Sequence, residues 1–236
     1  MEEKTLSHGA WVRLIGQFFD SAFPSGGYAH STGLEGLIQM GVIENKEDLL
    51  EFTKSQLLPN LQYGDLPVLR LTQQAYREDK FDQISVLDEL SWATKGTKEL
   101  RLSSSRIGKQ LYFLIGKIWE TDEEFQAQWI FSQSQLNYFQ QGAVLGVFCG
   151  IKNVPTEVAL TAYAFQLVQS WGQAAIKLLH LGPMQSQQYM AQAGEWIDGA
   201  VAGSLTVTID AIGTFSPAWD IASALHERAN ARLFIS

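Results

Sequence analysis

Proline has no backbone N–H to donate and its ring clashes inside a helix, so the placement of prolines limits where helices can run. Six occur, at Pro24, Pro59, Pro67, Pro155, Pro183 and Pro217, and the 87 residues between Pro67 and Pro155 hold none. Most of that interval repeats its apolar residues with helical period. Earlier in the chain Trp11, Leu14, Ile15 and Phe18 fall at i, i+3, i+4 and i+7, one face of a helix. Pro24 and the Gly26–Gly27 pair must end it. Thr32-Gly33-Leu34-Glu35 has the form of a capping box, opening a short helix that stops near Gly41. Asn45 can cap a helix running to about Leu58, and Asp65 another, with Pro67 tolerated in its first turn.

Further helices are expected at about 82–95, 97–119, 124–149, 156–181, 186–213 and 218–234. Leu205 to Asp210 alternates like a strand. Ile197, Ala200, Val201, Ser204, Leu205, Thr208, Ile209 and Ile212, however, form a 3/4-spaced stripe, and the longer pattern predicts helix. No repeat, low-complexity tract or polar linker divides the chain. The fold expected is all-α: a single layered helical domain of about ten helices, over residues 1–236, with no substantial sheet and the charge-poor 143–181 region at its centre. An N-terminal arm of about 1–10 and a C-terminal tail of about 227–236 are expected to order on partner binding.

Hydrophobic residues make up 46% of the chain and charged residues 18%, and the net charge is −8. A core is easy to supply, and the sparse charge suggests that something other than water covers part of the surface. An acidic chain argues against a nucleic-acid coat. No unbroken apolar run of ~20 residues, the length of a membrane span, occurs: the uncharged stretches 125–151 and 158–176 are interrupted by Gln, Ser, Thr or Asn. The start Met1-Glu2-Glu3-Lys4 lacks the basic and apolar parts of a secretory signal. Cys149 stands alone, which excludes an internal disulfide. The expectation is a soluble cytoplasmic protein.

The searches for chemistry come back empty. There is no P-loop, no G-x-G-x-x-G after a strand and no G-x-S-x-G elbow. His226-Glu227 begins like H-E-x-x-H, but Asn230 stands where the second His belongs. No metal, cofactor or catalytic residue is singled out. An enzyme with a scattered acid/base site remains the alternative reading, and a helical RNA-binding protein a third.

Three features stand out. The loop from Asp20 through Pro24, Gly26, Gly27 and Tyr28 to His30 is either a shaped surface presenting Tyr28 and His30 to a partner or an interhelical turn whose Tyr and His cap and pack. Between Lys95 and Lys117 the charge is +5, against −13 elsewhere. On one helix, Lys95, Lys98, Arg106, Lys109 and Lys117 would share a sector roughly 100° wide, either a solvated face or a docking surface for an acidic partner. The chain ends on Arg232-Leu233-Phe234-Ile235-Ser236, apolar where termini are usually polar. It is either the end of a packed helix or a segment with anchor residues of the kind found in binding hot spots.

Taken together, these segments resemble the UreF family of urease accessory proteins. The likeness is carried by Asp20 to Ser31 with Gly33-Leu34-Glu35, and by Glu99-Leu100-Arg101 followed by Ser104 or Ser105, Gly108 and Leu111. Leu181-Gly182 with Gln187 adds to it. So do Ser216-Pro217, Asp220-Ile221-Ala222-Ser223, His226-Glu227 and Arg232-Leu233-Phe234 with Ser236. The chain departs from the pattern at Arg228-Ala229-Asn230, at Ile235 and at Pro183-Met184. The resemblance implies an all-α, homodimeric scaffold without enzymatic activity of its own, bridging the nickel-carrying GTPase UreG and the apo-urease-binding protein UreD (UreH) as nickel is delivered to urease. It also implies a check on GTP hydrolysis by UreG. Asp20, Pro24, Gly26, Gly27, Tyr28, His30, Glu35, His226, Glu227, Arg232 and Phe234 would form the UreD-facing surface, with Lys95, Lys98, Arg106, Lys109 and Lys117 as a possible second partner face. Whether nickel touches His30 or His226 in passing stays open.

Overall fold

A computed structural model describes residues 8–20, 22–27, 30–229 and 231–235. The chain is helical throughout, with no strand among the described residues. In chain order the helices are α1 (His8–Phe18), α2 (Leu34–Gln39), α3 (Lys46–Phe52), α4 (Leu58–Tyr63), α5 (Asp65–Arg77), α6 (Phe81–Thr94), α7 (Lys98–Ile118), α8 (Glu123–Gln133), α9 (Gln141–Ile151), α10 (Thr156–Leu178), α11 (Pro183–Ser204) and α12 (Pro217–His226). A π-helical turn, Thr53–Leu57, joins α3 to α4 without a break. Of the N-terminal arm expected over about 1–10, residues 1–7 lie outside the described residues.

At the centre α9 lies against α5, and every residue from Gly142 to Gly150 is buried. The approach is close because Gly142, Gly146 and Gly150, one turn apart, give α9 a face without side chains. A methyl group on Gly146 would sit 2.7 Å from the Leu69 carbonyl oxygen and from Thr72, and one on Gly150 2.8 Å from Tyr76. Cys149, also on α9, is fully buried, and burial pushes its thiol up to about 12. Around α9 the remaining helices form layers. Phe18, Trp119, Phe125, Trp129 and Phe148 pack with ring centroids 5.0 to 6.3 Å apart. On the far side Tyr189 of α11 shares a 2.8 Å hydrogen bond with Thr53 at the π turn.

Local signals hold where a short polar side chain meets its own helix. Asn45 accepts from the Asp48 amide at 2.9 Å, Thr97 from Leu100 and Asp122 from Phe125. The expected capping box at Thr32–Glu35 does not form. Thr32 takes a positive φ of 51° and Gly33 becomes the N-cap, without a side-chain bond. Asp65 does not cap either. Its carboxylate turns to Lys95 at 2.8 Å.

Three helices expected from the pattern come out shorter. The 124–149 helix is two, because Asp88 of α6 accepts the amides of Tyr138, Phe139 and Gln140 at 2.6, 3.1 and 2.7 Å and holds a turn between α8 and α9. The 186–213 stripe stays helical only to Ser204. Beyond it, four β-branched residues in a row weaken the helix, and Arg70 takes the Val207 carbonyl from outside. The 218–234 helix ends at His226, and no helix follows among the described residues.

The α5–α9 contact can be tested directly. Gly146→Val should overpack it by roughly 2–4 kcal/mol, lowering Tm by about 5–15 °C. Gly199→Ala, with nothing within 4 Å of its added methyl, should hold or raise Tm, since Ala is favoured by up to ~1 kcal/mol in a helix. Thermal melts of the two variants check both signs.

Candidate partner-docking site

The segments that stood out in sequence meet at one place. Glu35 comes from α2, Glu99 from the first turn of α7 and His226 from the last turn of α12. Glycine lets these helices close up, since a methyl on Gly36 would lie 2.5 Å from the Ala222 carbonyl oxygen and 3.2 Å from His226 Cβ. The His226 ring is sandwiched, with Nδ1 2.9 Å from Glu99 Oε1 and Nε2 3.1 Å from Glu35 Oε2. Ser223 donates to Glu99 at 3.2 Å and shares a 2.9 Å hydrogen bond with Thr97.

Glu35 also takes hold of the chain's end. Its carboxylate accepts the backbone amides of Leu233 and Phe234 at 2.8 and 2.9 Å. Phe234 is buried, with the Lys177 ammonium 5.8 Å above its ring. Arg232 reaches back to within 3.8 Å of Glu99, and Glu227 pairs with Lys98 at 3.4 Å. The tail is therefore seated on the domain, and Glu35, His226 and Phe234 lie inside its anchorage. The outer surface is different in kind. Ile221 and Leu225 on α12 and Leu233 and Ile235 on the tail are each more than half exposed. Scattered exposed apolar side chains are ordinary, but four on one helix and its continuation make a surface suited to a protein partner.

The Asp20–His30 loop lies beside this junction. Asp20 accepts the Ala22 amide at 2.7 Å, and Gly26 takes a φ of +87°. Pro24 is exposed and Gly27 half-buried. Tyr28 lies outside the described residues. His30 is buried instead of facing outward, and burial, aided by the nearby Arg106 charge, pulls its ring down to about 4. Just past the loop, Trp219 of α12 donates to the Thr32 carbonyl at 2.9 Å and packs edge-on to Trp171, so loop and α12 are joined.

The basic face divides. Lys98, Arg106, Lys109 and Lys117 are exposed along α7. Lys95 precedes the helix and is spent on Asp65, bordering an internal cavity of about 120 Å³. Between α7 and α8 runs an open groove of about 480 Å³. Lys109, Phe113 and Lys117 stand on one side, Ile130 and Gln133 on the other, with Trp129 at the base. Phe113 and Ile130 are more than half exposed, and Lys117 is partly offset by Glu120 at 3.4 Å. Among the described residues no three His, Cys, Asp or Glu side chains gather to hold a metal ion. Glu35 and Glu99 sit on opposite edges of the His226 ring, too divided to converge on one ion.

Glu99, Leu225 and Ile130 are site residues that the expected partner surfaces did not include. The E-L-R segment carried a signal for Glu99. Nothing local did for the others.

The family model for UreF matches residues 43–194, about two thirds of the chain. The chain belongs to the UreF family. The chain is 31% identical over 225 residues to the urease accessory protein UreF of Marinomonas sp. (strain MWYL1), covering 95% of this chain and 94% of the relative. It is 28% identical over 220 residues to that of Paenarthrobacter aurescens (strain TC1), covering 93% and 96%. Membership agrees with the all-helical architecture. These matches, over 225 and 220 residues, extend beyond the 43–194 core toward both ends of the chain.

His30 gives this UreF-family chain an acid-sensitive element. Its folded ring titrates below the ordinary value near 6.5, so the unfolded chain binds more protons between about pH 6.5 and 4. Stability should fall as pH drops through that window, by up to ~3 kcal/mol from this group. Denaturant titrations should show a shallower fall in His30→Gln than in the parent.

Proposed function

We propose that this UreF-family protein is a non-catalytic scaffold for urease maturation, a nickel-insertion co-chaperone that bridges UreD (UreH) and the GTPase UreG and presents them to apo-urease. It works in the cytoplasm as a homodimer, needs no cofactor of its own and binds neither nucleic acid nor membrane. No helix among the described residues is long and apolar enough to cross a membrane. The supporting observation is the seated tail: buried Glu35, Glu99 and His226 hold α12 and residues 231–235 so that Ile221, Leu225, Leu233 and Ile235 face outward. This surface, together with the Asp20–His30 loop, is assigned to UreD.

The α7–α8 groove is assigned to UreG. Its exposed Phe113 and Ile130 supply apolar walls and Lys109 and Lys117 a basic rim, which suits an acidic, partly apolar segment. Contact there would let the scaffold check GTP hydrolysis in its partner. The protein's own sequence has no nucleotide loop, in keeping with that division of labour.

Each face has its own test. Ile221→Asp combined with Leu233→Asp replaces exposed side chains, so Tm should move by no more than ~2 °C, while co-purification with UreD falls at least tenfold. Unchanged capture would remove that assignment. Lys109→Glu with Lys117→Glu should weaken capture of UreG at low salt and matter less at high salt, where screening is strong, with UreD binding retained. Equal UreG capture by parent and variant at every salt concentration would return this face to plain solvation.

A further inference from the structure

The junction of α2, α7 and α12 contains a donor count that a neutral histidine does not balance. Neutral imidazole offers one N–H and one lone pair. Both His226 nitrogens face carboxylate oxygens, at 2.9 and 3.1 Å, with the three side chains at most 6% exposed. With no extra proton, one of these contacts sets a lone pair against a carboxylate where water cannot intervene, a costly arrangement. One additional proton resolves it, and on the ring it makes an imidazolium that donates in both directions.

The charges around the site agree with this count. Glu35 of α2 and Glu99 of α7 contribute two negative charges. Arg232 of the tail, 3.8 Å from Glu99, contributes one positive charge. An imidazolium brings the cluster to neutrality, which burial favours. The other charges nearby are committed elsewhere or lie outward: Lys98 pairs with Glu227 at the surface, and Lys177 of α10 lies over the Phe234 ring. Asp220, one helix turn and a half before His226, borders the internal cavity.

We infer that His226 is the positioning residue of the C-terminal docking surface: a second proton on its ring, which lets it donate to Glu35 and Glu99 together, locks residues 231–235 onto the domain, and its removal loosens them. The same Glu35 carboxylate that faces Nε2 receives the Leu233 and Phe234 amides, so the proton and the tail act on one group. The seated state binds one proton more than the released state. Seating is therefore strongest at low pH within the folded range and weakens as pH rises through the titration of the cluster. This deepens the UreD assignment only in saying how the tail is held, and it is measured without any partner.

The experiment is NMR on the full chain. In the seated state, the ¹⁵N shifts of His226 should report both ring nitrogens as protonated. Hydrogen-exchange protection of the Leu233 and Phe234 amides, corrected for intrinsic base catalysis, should then fall by at most tenfold per pH unit as pH rises toward the loss of the second ring proton in the seated state, and level off beyond it. Glu99→Gln separates the proton from mere packing. Its amide can donate to Nδ1 while Nε2–H donates to Glu35, so a neutral ring suffices, and protection should persist without the pH dependence. His226→Phe should lose tail protection while keeping its helical circular dichroism. A wild-type ring that carries one proton with the tail seated would overturn the inference. So would tail protection independent of pH, or the same pH dependence in Glu99→Gln. If the proton lock is found but Leu233→Asp leaves UreD capture intact, the assignment of the partner fails and the lock stands.

Discussion

The close crossing of α9 and α5 is the contact on which the rest of the arrangement hangs. Two helices carrying ordinary side chains pack with axes 8–10 Å apart, and here glycines at 142, 146 and 150 remove that spacing on one face. The rows of larger residues around α9 are thereby drawn inward. Phe148 reaches Phe18, Trp119 and Trp129 together, tying α1, α7 and α8 to the centre. The helices that carry the outer surfaces, α7 and α8 among them, are thus referenced to a buried rod with almost no conformational freedom of its own.

The docking surface is built on a second principle. Its carboxylates and its histidine are buried while several aliphatic side chains are exposed, the reverse of the usual partition. Glu35, Glu99 and His226 satisfy one another and two tail amides, which removes the cost of their burial. Ile221, Leu225, Leu233 and Ile235 stand outside, among the charged Glu227, Arg228 and Arg232. Such an inversion makes sense when the outer groups are to be covered by another protein, and when the inner groups must hold the segment that leaves α12. Among residues 231–235 only Phe234 is buried, so packing alone holds that segment weakly. Hydrogen bonds from two adjacent amides to one carboxylate give it a defined register.

How much of this could be read in advance depends on how local the cause is. Asn45, Thr97 and Asp122 cap helices whose first turns lie beside them, and those boundaries were legible. The turn at 134–140 was not, because its acceptor is Asp88, about fifty residues upstream, and no glycine or proline marks the place. Glu35 shows the same difference more sharply. Three residues after Thr32 it has the spacing of a capping box, yet its carboxylate serves an amide pair nearly two hundred residues away. The stripe from Ile197 to Ile212 misled in another way. Periodicity records which face is apolar, but the β-branched run at 206–209 sets how far a helix can be sustained. The centre of the fold was visible as a charge-poor stretch, whereas the meeting of Glu35, Glu99 and His226 was visible only as three fragments of a family likeness. Lys95 had the right angle on a helical wheel and fell outside the helix, since Asp65 claims it just before Thr97 starts the next turn.

Cys149 gives the central crossing a further consequence. Its sulfur is fully buried, and its thiol is held protonated far above neutral pH. A thiol reagent can reach it only when the packing around α9 opens. The native chain therefore carries an intrinsic clock for the opening of its own core: under conditions where every opening is labelled, the rate of modification is the rate of that opening. The same silence at neutral pH leaves a single cysteine introduced elsewhere on the surface free to be labelled alone.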